Sequence, residues 1–475
     1  EEVLSQVDGA LWVGTPAFTP MHAELTSARH KGSPEVAPVV YNGRRVRFVN
    51  EPSDLRTDLY GRELGPWGFP RFVYAQHASD PVVWWNRKLL WTQPDWLRER
   101  AGRDVSPFVE FTRFVTFIQV LADLPVAGDP VITDVIAGAL ASIDSALPGA
   151  SSQAADALGI EAGAEQVLLI LVDGLGYELI QNHLGHTPTL RRVRNDIRSI
   201  HTVVPSTTAA AITAFGTGAR PGATNMVGFS VAYGGGVMNL LAMEGGPAPT
   251  EWQPTPTYFE RLAAADVSSA VISPARFAGS GLTCAALRGA RHVPAESLSD
   301  RVSAALRELR EGTPVVYLYW SEIDHAGHSS GVGSDAWIGC LEEFDAGLSA
   351  LLCGLPAGVR TVMTADHGMI NVEHSALVDV AQTPALREGV RIVAGETRAV
   401  HVHAQEGRAE EVAARWRETL GESAWVLSRA QMPALIGEGS GASVIGDLLV
   451  LARVRGGVVD SRTQSAAAIA MPPMM

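Results

Sequence analysis

The chain has 475 residues, of which 46% are hydrophobic and 19% charged, a composition that predicts an ordinary globular protein with two or three domains. The formal net charge of −14 argues against nucleic acid as the main partner, because a phosphate backbone requires a basic surface. No apolar run reaches the length of a membrane span. Cys284, Cys340 and Cys353 are too few and too scattered for a disulfide framework, so we expect core cysteines and a cytoplasmic protein.

Residues 1–127 differ in amino-acid composition from the rest of the chain and contain six of its 11 tryptophans. Since Glu1 is neither an initiator methionine nor the start of a signal peptide, we expect the natural N-terminus to lie upstream. The stretches DGALWVGTPAFTPMHAELTSARHKGSPE and YAQHASDPVVWWNRKLLWTQPDWLRE resemble the C-terminal half of an actinobacterial α/β-hydrolase-type domain. We therefore place a partial α/β-hydrolase-like segment at 1–127 and a second domain at 128–475.

The resemblance makes Asp80 a candidate triad acid, but no nucleophile elbow precedes it in the chain. The single Gly-x-Ser-x-Gly match, residues 327–331, lies far downstream and so has the wrong order. An acid without a nucleophile and a base cannot carry out acyl transfer. We therefore interpret His77 and Asp80 as structural residues.

The second domain begins with apolar residues at helical spacing from Asp129 to Leu147, which predict an amphipathic helix. Pro148 and the small residues after it then predict a linker over 148–164. The apolar run 167–172 has the length and β-branched content of a central strand in a parallel sheet, and it ends at Asp173-Gly174. An acid at that end lies in the crevice where open α/β sheets bind ligands.

Thr208 comes 35 residues after this acid, in the sequence Pro-Ser-Thr-Thr, and small residues of helical character follow it. The β-branched run Ser199–Val203 before it predicts a strand. A hydroxyl at the first turn of a helix faces the end that attracts anions. Thr208 is therefore a candidate for contact with a phosphate group.

Two later apolar runs also end in carboxylate and imidazole side chains. Residues 315–320 lead into a predicted loop with Asp324 and His328, and residues 362–364 lead into Asp366 and His367. Carboxylates and imidazoles together suit zinc or a similar divalent ion, and two such groups suit a two-metal site. The alternation of strands and helices predicts a doubly wound, mostly parallel α/β sheet.

With its motifs LVDGLG, PSTTAAAITAFGTG, DHAGH and ADHG, the chain from about residue 128 resembles the alkaline phosphatase superfamily, and most closely its nucleotide pyrophosphatase/phosphodiesterase branch. The resemblance implies that Thr208 is the nucleophile and that Asp173, Asp366 and His367 bind the metal ion that also holds it. It further implies that Asp324 and His328 are two of three ligands of a second ion. Both ions are expected to be zinc, and the substrate a small phosphate ester or nucleotide.

The chain departs from this family pattern in two places. Phe229 occupies the loop where phosphodiesterases of the family tend to carry an asparagine, and the usual C-terminal His-Gly motif for the third ligand is not found. His401 and His403, on one face of a predicted strand, are candidate substitutes for that ligand. Gly234–Gly236 and the Gly245-Gly246 pair predict loops, interpreted as a lid or insert near the site.

Three hypotheses about function remain open from the sequence. The first is a two-metal phosphodiesterase or nucleotide pyrophosphatase that works through a phosphothreonine. The second, favoured by Phe229, is a phosphomonoesterase or phosphonate hydrolase of the same superfamily. The third is a weakly active or inactive fusion protein that acts as a scaffold. The oligomeric state and the physiological substrate do not follow from the sequence.

Overall fold

The computed structural model of the protein describes residues 129–464 and 469, together with the backbone of five strands outside that range. Four of these strands lie in the N-terminal region and the fifth is Pro473–Met474. The chain forms two compact units, residues 1–124 and residues 125–475.

In the first unit the structure describes one antiparallel sheet with the strand order β1-β2-β3-β4. Its strands are β1 Glu35–Tyr41, β2 Arg44–Val49, β3 Arg71–Val73 and β4 Val83–Trp85. His77 and Asp80 lie outside the described residues, so their interpretation as structural residues stays a prediction.

The second unit alternates strands and helices along most of its length. Its strands are β5 Gln166–Val172, β6 Ser230–Tyr233, β7 Gly236–Asn239, β8 Ser269–Ser273, β9 Arg291–Pro294, β10 Val315–Trp320, β11 Val359–Thr364, β12 Ile370–Asn371, β13 Leu377–Asp379, β14 Val390–Glu396, β15 Ala399–Ala404, β16 Ala424–Ser428, β17 Leu448–Ala452, β18 Gly457–Val459 and β19 Pro473–Met474. Its α-helices are α1 Val135–Ile143, α2 Ser152–Leu158, α3 Tyr177–Asn182, α4 Pro188–Arg192, α5 Thr208–Thr217, α6 Pro221–Thr224, α7 Pro249–Trp252, α8 Tyr258–Ala264, α9 Gly281–Ala286, α10 Leu298–Arg310, α11 Glu322–Ser330, α12 Asp335–Gly354, α13 Pro384–Arg387, α14 Ala409–Leu420, α15 Met432–Ile436 and α16 Gly441–Ile445.

The main sheet has five parallel strands in the order β11-β5-β10-β8-β9. β5 lies inside it and is buried on both faces. Leu168, Ile170 and Val172 pack into one hydrophobic core, whereas Val167, Leu169 and Leu171 pack into the other. Since successive side chains of a strand point to opposite faces, helices must cover both sides of the sheet. The predicted doubly wound, mostly parallel fold is therefore confirmed.

A smaller antiparallel sheet follows in the chain, with the strand order β14-β15-β17-β16. Helix α14 covers it, and the buried side chains of Val412 and Trp416 pack into the same core as Val400, Val402 and Val450. No helix in residues 129–464 combines the length and the apolar character needed to cross a bilayer.

Several local predictions are wrong. The run 199–203 is not a strand, since it contributes only an isolated bridge between His201 and Val131. The helix predicted from Asp129 to Leu147 is shorter, a 3-10 turn followed by α1. The predicted linker contains α2, whose first turn is capped because Ser151 Oγ accepts a hydrogen bond from Ala154 N. Cys353 is exposed rather than a core residue.

Candidate active site

The candidate site lies where β5, β10 and β11 end. Val172 of β5 is paired with Trp320 of β10, and Leu171 is paired with Thr364 of β11. The residues that follow these strands therefore emerge at one edge of the sheet. Asp173 N donates to Trp320 O at 2.8 Å, which ties the first residue after β5 to the end of β10.

Asp173, Asp366 and His367 form one buried cluster, in which one ligand atom from each residue lies within 4.8 Å of the others. His367 Nε2 is 3.4 Å from Asp173 Oδ1 and 3.5 Å from Asp366 Oδ2. Thr208 Oγ1 lies 3.2 Å from the same nitrogen. The structure thus brings together the four residues that the sequence predicted for the first metal ion.

The imidazole of His367 has a defined orientation. Its Nδ1 lies 3.0 Å from Gly368 O, and because a carbonyl only accepts, Nδ1 is the donor of this hydrogen bond. A metal ion can therefore bind this ring only through Nε2, which faces Thr208 and the two carboxylates. Such a partner at the second ring nitrogen is the usual arrangement of a metal-binding histidine.

Thr208 is the first residue of α5, a helix of ten residues that are all buried. The unpaired N–H groups and the dipole at a helix N-terminus favour negative charge. Thr208 is itself 8% exposed. Its hydroxyl is therefore held between an anion-favouring helix end and the imidazole of His367.

Asp324 and His328 lie in α11 and not in a loop, which corrects the prediction. They are one helical turn apart, and His328 Nε2 is 3.4 Å from Asp324 Oδ1. Residues i and i+4 share a helix face, so both side chains can reach one ion. Ile323, Ala326 and Gly327 are the buried residues of this helix, and their packing explains why a sequence with Gly and Ser still folds as a helix.

Two glycines let these segments approach each other. Gly174 has φ +72°, and a Cβ there would lie 3.0 Å from Asp324 Oδ1. A Cβ at Gly176 would lie 2.8 Å from Gly368 Cα. The turn after β5 therefore packs against both later motifs, and glycine is required at positive φ and in such close contact.

The metal-free cluster is electrostatically unfavourable. Burial, and next the neighbouring charge of Asp324, raise the pKa of Asp366 to about 7. Burial and the charges of Asp366 and Asp324 also raise the pKa of Asp173 well above its ordinary value. Three carboxylates in one buried site repel one another unless cations compensate them.

The donor set fits divalent cations. Within residues 129–464, Asp173 Oδ1, Asp324 Oδ1 and Asp366 Oδ2 are buried acceptors without a hydrogen-bond partner. Buried carboxylate oxygens normally accept hydrogen bonds or bind metal. Carboxylate, hydroxyl and imidazole ligands in this number suit zinc or a similar divalent ion.

The two histidines proposed as substitutes lie elsewhere. His401 is fully buried with Nε2 3.1 Å from Val227 O, and burial lowers its pKa to about 3. His403 packs against Gly446, and burial and the charge of Arg391 lower its pKa. Among the described residues, neither forms a group of three ligands with Asp324 and His328. These contacts favour packing over a ligand role for both histidines, and their role as substitute ligands stays a prediction.

The loop residues singled out in the sequence have simple surroundings. Phe229 is half-buried directly before β6, and its carbonyl accepts from Leu240 N at 2.9 Å. Gly234 and Gly235 form the turn of the β6–β7 hairpin with φ +58° and +84°. The role of this hairpin as a lid stays a prediction.

The sequence analysis missed two residues near the site. Tyr319, near the end of β10, donates a short hydrogen bond from its hydroxyl to Asp173 Oδ2. Glu396, at the end of β14, has its pKa raised to about 8 by burial, and a hydrogen bond with Thr207, followed by the charge of His328, opposes that rise. The run VVYLYW predicts a buried strand but gives no sign of what the tyrosine hydroxyl contacts.

The comparisons with known proteins agree with this arrangement. The sequence profile of the type I phosphodiesterase / nucleotide pyrophosphatase family matches residues 167–465. A profile described as alpha/beta-hydrolase family matches residues 1–132, in agreement with the resemblance of the N-terminal segment. A search of the curated proteins finds no match.

Among solved structures, the chain is similar to murine ectonucleotide pyrophosphatase / phosphodiesterase 5, with 15% identity and a TM-score of 0.51. That match covers 65% of this chain and 86% of the other. An inactive threonine-to-alanine variant of the murine protein, in complex with AMP, matches with 14% identity, the same two coverages and the same TM-score. Phosphonoacetate hydrolase from Sinorhizobium meliloti, in complex with phosphonoformate, has 20% identity, coverages of 63% and 84%, and a TM-score of 0.51.

These structural matches show a common fold, and the profile match extends over more than half of the sequence. The chain therefore belongs to the type I phosphodiesterase / nucleotide pyrophosphatase family, a family of phosphate-ester hydrolases.

Proposed function

We propose that the chain hydrolyses phosphodiester or nucleotide pyrophosphate bonds with two divalent ions, through a phosphothreonine at Thr208. The observation that carries this proposal is the convergence of Thr208 Oγ1, His367 Nε2, Asp173 Oδ1 and Asp366 Oδ2. The two carboxylate oxygens have no protein donor in the described part of the chain, although both are buried.

Asp173, Asp366, His367 and Thr208 would hold one ion, and Asp324 and His328 would hold the other. When bound, such ions supply Lewis acidity that neutralises phosphate oxygens and lowers the pKa of a neighbouring hydroxyl or water. The protein contributes fixed positions for its ligands, because each carboxylate follows a buried strand or lies on a packed helix.

Thr208 Oγ1 gives up its proton and attacks the phosphorus atom, while the bond to the leaving oxygen breaks on the opposite side with its electron pair and that oxygen takes up a proton. The N-terminus of α5 favours the negative charge of the phosphoryl group beside this hydroxyl. A water molecule then attacks the phosphothreonine, which releases phosphate monoester and returns the proton to Oγ1. The inactive threonine-to-alanine variant of the murine neighbour is in keeping with a threonine in this role.

A second candidate function, hydrolysis of phosphomonoesters or phosphonates, is favoured by Phe229 in place of an amide side chain. The similarity to a phosphonoacetate hydrolase at the same TM-score as the murine phosphodiesterase also favours it. Without an amide side chain in this loop, a phosphate oxygen of the substrate loses a hydrogen-bond donor. This loss should weaken the binding of a diester more than that of a monoester, which is smaller and carries more negative charge.

The matched pair Thr208→Ala and Thr207→Ala tests the nucleophile, because both residues are buried threonines at the start of α5. We expect Thr208→Ala to abolish turnover of bis(4-nitrophenyl) phosphate while its far-ultraviolet circular dichroism stays unchanged. Thr207→Ala should retain turnover within about tenfold of wild type. An inactive Thr207→Ala variant together with an active Thr208→Ala variant would show that Thr207, and not Thr208, is the nucleophile.

Comparison of bis(4-nitrophenyl) phosphate, 4-nitrophenyl phosphate and phosphonoacetate on the full chain separates the two candidate functions. Elemental analysis of the same sample tests the scaffold hypothesis, which predicts neither bound metal nor turnover. Undiminished turnover of any of these substrates in excess chelator would contradict the two-metal mechanism.

A further inference from the structure

The two oxygens of Asp173 have different surroundings. Oδ2 accepts a short hydrogen bond from the hydroxyl of Tyr319. Oδ1 has no hydrogen-bond partner within residues 129–464 and lies 3.4 Å from His367 Nε2. One oxygen is thus occupied by the protein, and the other faces the cluster of candidate ligands.

The register of the sheet determines this contact. Tyr319 of β10 is paired with Leu171 of β5, two residues before Asp173, and Asp173 N donates to Trp320 O at 2.8 Å. The ring of Phe277 packs edge-on against Tyr319 at 5.8 Å between centroids and an angle of 71°. Because the pairing with β5 fixes the backbone beside Asp173 and the ring is packed, the hydroxyl has little freedom to leave Asp173.

We propose that Tyr319 is a positioning residue that restricts Asp173 to binding a metal ion through Oδ1 alone. The inference rests on the proposed metal centre and extends it to a residue with no ligand role of its own. A phenol is a donor at neutral pH, so it competes with a cation for Oδ2. Freed from Tyr319, the carboxylate could bind through both oxygens or rotate away from His367 Nε2.

The restriction has a chemical consequence. Asp173 Oδ1, Asp366 Oδ2, His367 Nε2 and Thr208 Oγ1 already make up the four ligands that zinc usually takes. A second oxygen from Asp173 would occupy the position that a phosphate oxygen needs. Partners of this kind, one step removed from the ion, typically change metal affinity or activity by about 10–100-fold when removed.

Tyr317 provides a matched control on the same strand. It lies two residues before Tyr319 and therefore on the same face of β10, and it is fully buried. Its ring packs against Phe215 at 5.6 Å, and its hydroxyl has no hydrogen-bond partner among the described residues. Tyr317→Phe thus removes the same atom from the same face of the strand without removing a hydrogen bond from Asp173.

The test is zinc binding by the full-length wild type, Tyr319→Phe and Tyr317→Phe, measured by competition with a chromophoric chelator. We expect Tyr319→Phe to raise the zinc Kd by about 10–100-fold, as is usual for such partners. Tyr317→Phe should stay within about threefold of wild type. The zinc-induced rise in unfolding temperature, measured from each variant's own metal-free baseline, should be reduced only in Tyr319→Phe, which separates metal binding from stability of the fold.

Cobalt(II) in place of zinc gives a second measurement that a purely structural role would not change. If Asp173 binds cobalt(II) through both oxygens in Tyr319→Phe, the visible absorption of the ion should weaken. Five- and six-coordinate cobalt(II) absorbs visible light less strongly than tetrahedral cobalt(II). Equal zinc affinity and equal cobalt spectra for the two phenylalanine variants would overturn the proposal. If the wild type binds neither zinc nor cobalt, the proposed function fails together with the role of Tyr319. If the wild type binds metal and the two variants do not differ, only the role of Tyr319 fails.

Discussion

Replacement of Asp366 by asparagine should have opposite effects on stability without and with metal. Asp366 is fully buried, and its pKa is raised from 3.8 to about 7 in the metal-free protein. The folded chain therefore holds a proton there that the unfolded chain releases above about pH 4. The stabilising contribution of this proton is present at low pH and is lost as the pH rises through about 7.

The magnitude follows from the two pKa values. At pH 8 the rise of this pKa from 3.8 to about 7 destabilises the folded protein by about 4 kcal/mol relative to a carboxyl group with the ordinary pKa, since one pKa unit is equivalent to about 1.4 kcal/mol. At pH 4 this destabilisation is below about 1 kcal/mol by the same relation. The asparagine oxygen retains the hydrogen bonds from Gly174 N at 3.1 Å and His367 N at 3.0 Å. Its NH₂ group replaces the ionised oxygen Oδ2, so the repulsion from the neighbouring carboxylates is removed.

The assay is urea unfolding of wild type and Asp366→Asn with excess chelator at pH 4 and pH 8. We expect the difference in unfolding free energy to move by about 4 kcal/mol in favour of asparagine between these values. With zinc at pH 8 the order should reverse, because an amide is a poorer ligand than a carboxylate. A difference that does not change with pH, or a variant that zinc stabilises as much as wild type, would refute the reasoning.

Asp345→Asn is the control, because Asp345 is also buried but both of its oxygens accept backbone hydrogen bonds. Its Oδ2 accepts from Thr189 N at 2.8 Å and its Oδ1 from Leu190 N at 3.0 Å. An amide NH₂ would place a donor against one of these N–H groups. This variant should therefore be less stable than wild type without chelator as well as with it.

Two further predictions concern the second ion. His401→Ala and His403→Ala should both bind as many zinc ions per chain as wild type, because His401 bonds to Val227 O and His403 packs against Gly446. If elemental analysis finds one ion fewer in either variant, the replaced histidine is a ligand. Glu322→Gln should weaken the binding of the second ion and lower the unfolding free energy by about 1–3 kcal/mol. The reason is that Glu322 begins α11 and forms an ion pair of 2.6 Å with the buried Arg301. An unchanged zinc titration would show that this ion pair does not position Asp324 and His328.

The sequence predicts the main sheet well because burial on both faces leaves a direct mark in it. The run 167–172 has no polar position and is β-branched at both ends, which favours an interior strand with the acid after it at the sheet edge. Asp366 and His367 also follow a strand, but β11 contains Arg360 and Thr361 and is only partly buried. These positions depend on local patterns alone, and the structure brings them together with Thr208.

Other features depend on contacts that a local pattern does not contain. The segment with Asp324 and His328 is polar and contains Gly327, yet it forms α11 because its buried residues pack against the core. The β-branched run 199–203 has strand propensity but pairs only at His201. The contact between Tyr319 and Asp173 depends on the register between β5 and β10, which the sequence does not specify.

The buried carboxylates also bear on the scaffold hypothesis. A protein that served only as a scaffold would gain stability by replacing Asp366, whose ionised form is unfavourable in the metal-free fold by about 4 kcal/mol at pH 8. The cluster instead combines an imidazole nitrogen with three carboxylates, each of which has one oxygen without a hydrogen-bond partner in the described part of the second unit. Bound cations would convert this repulsion into attraction, so the cluster is favourable only when it is loaded. The cluster thus favours a protein that binds metal over a scaffold that does not.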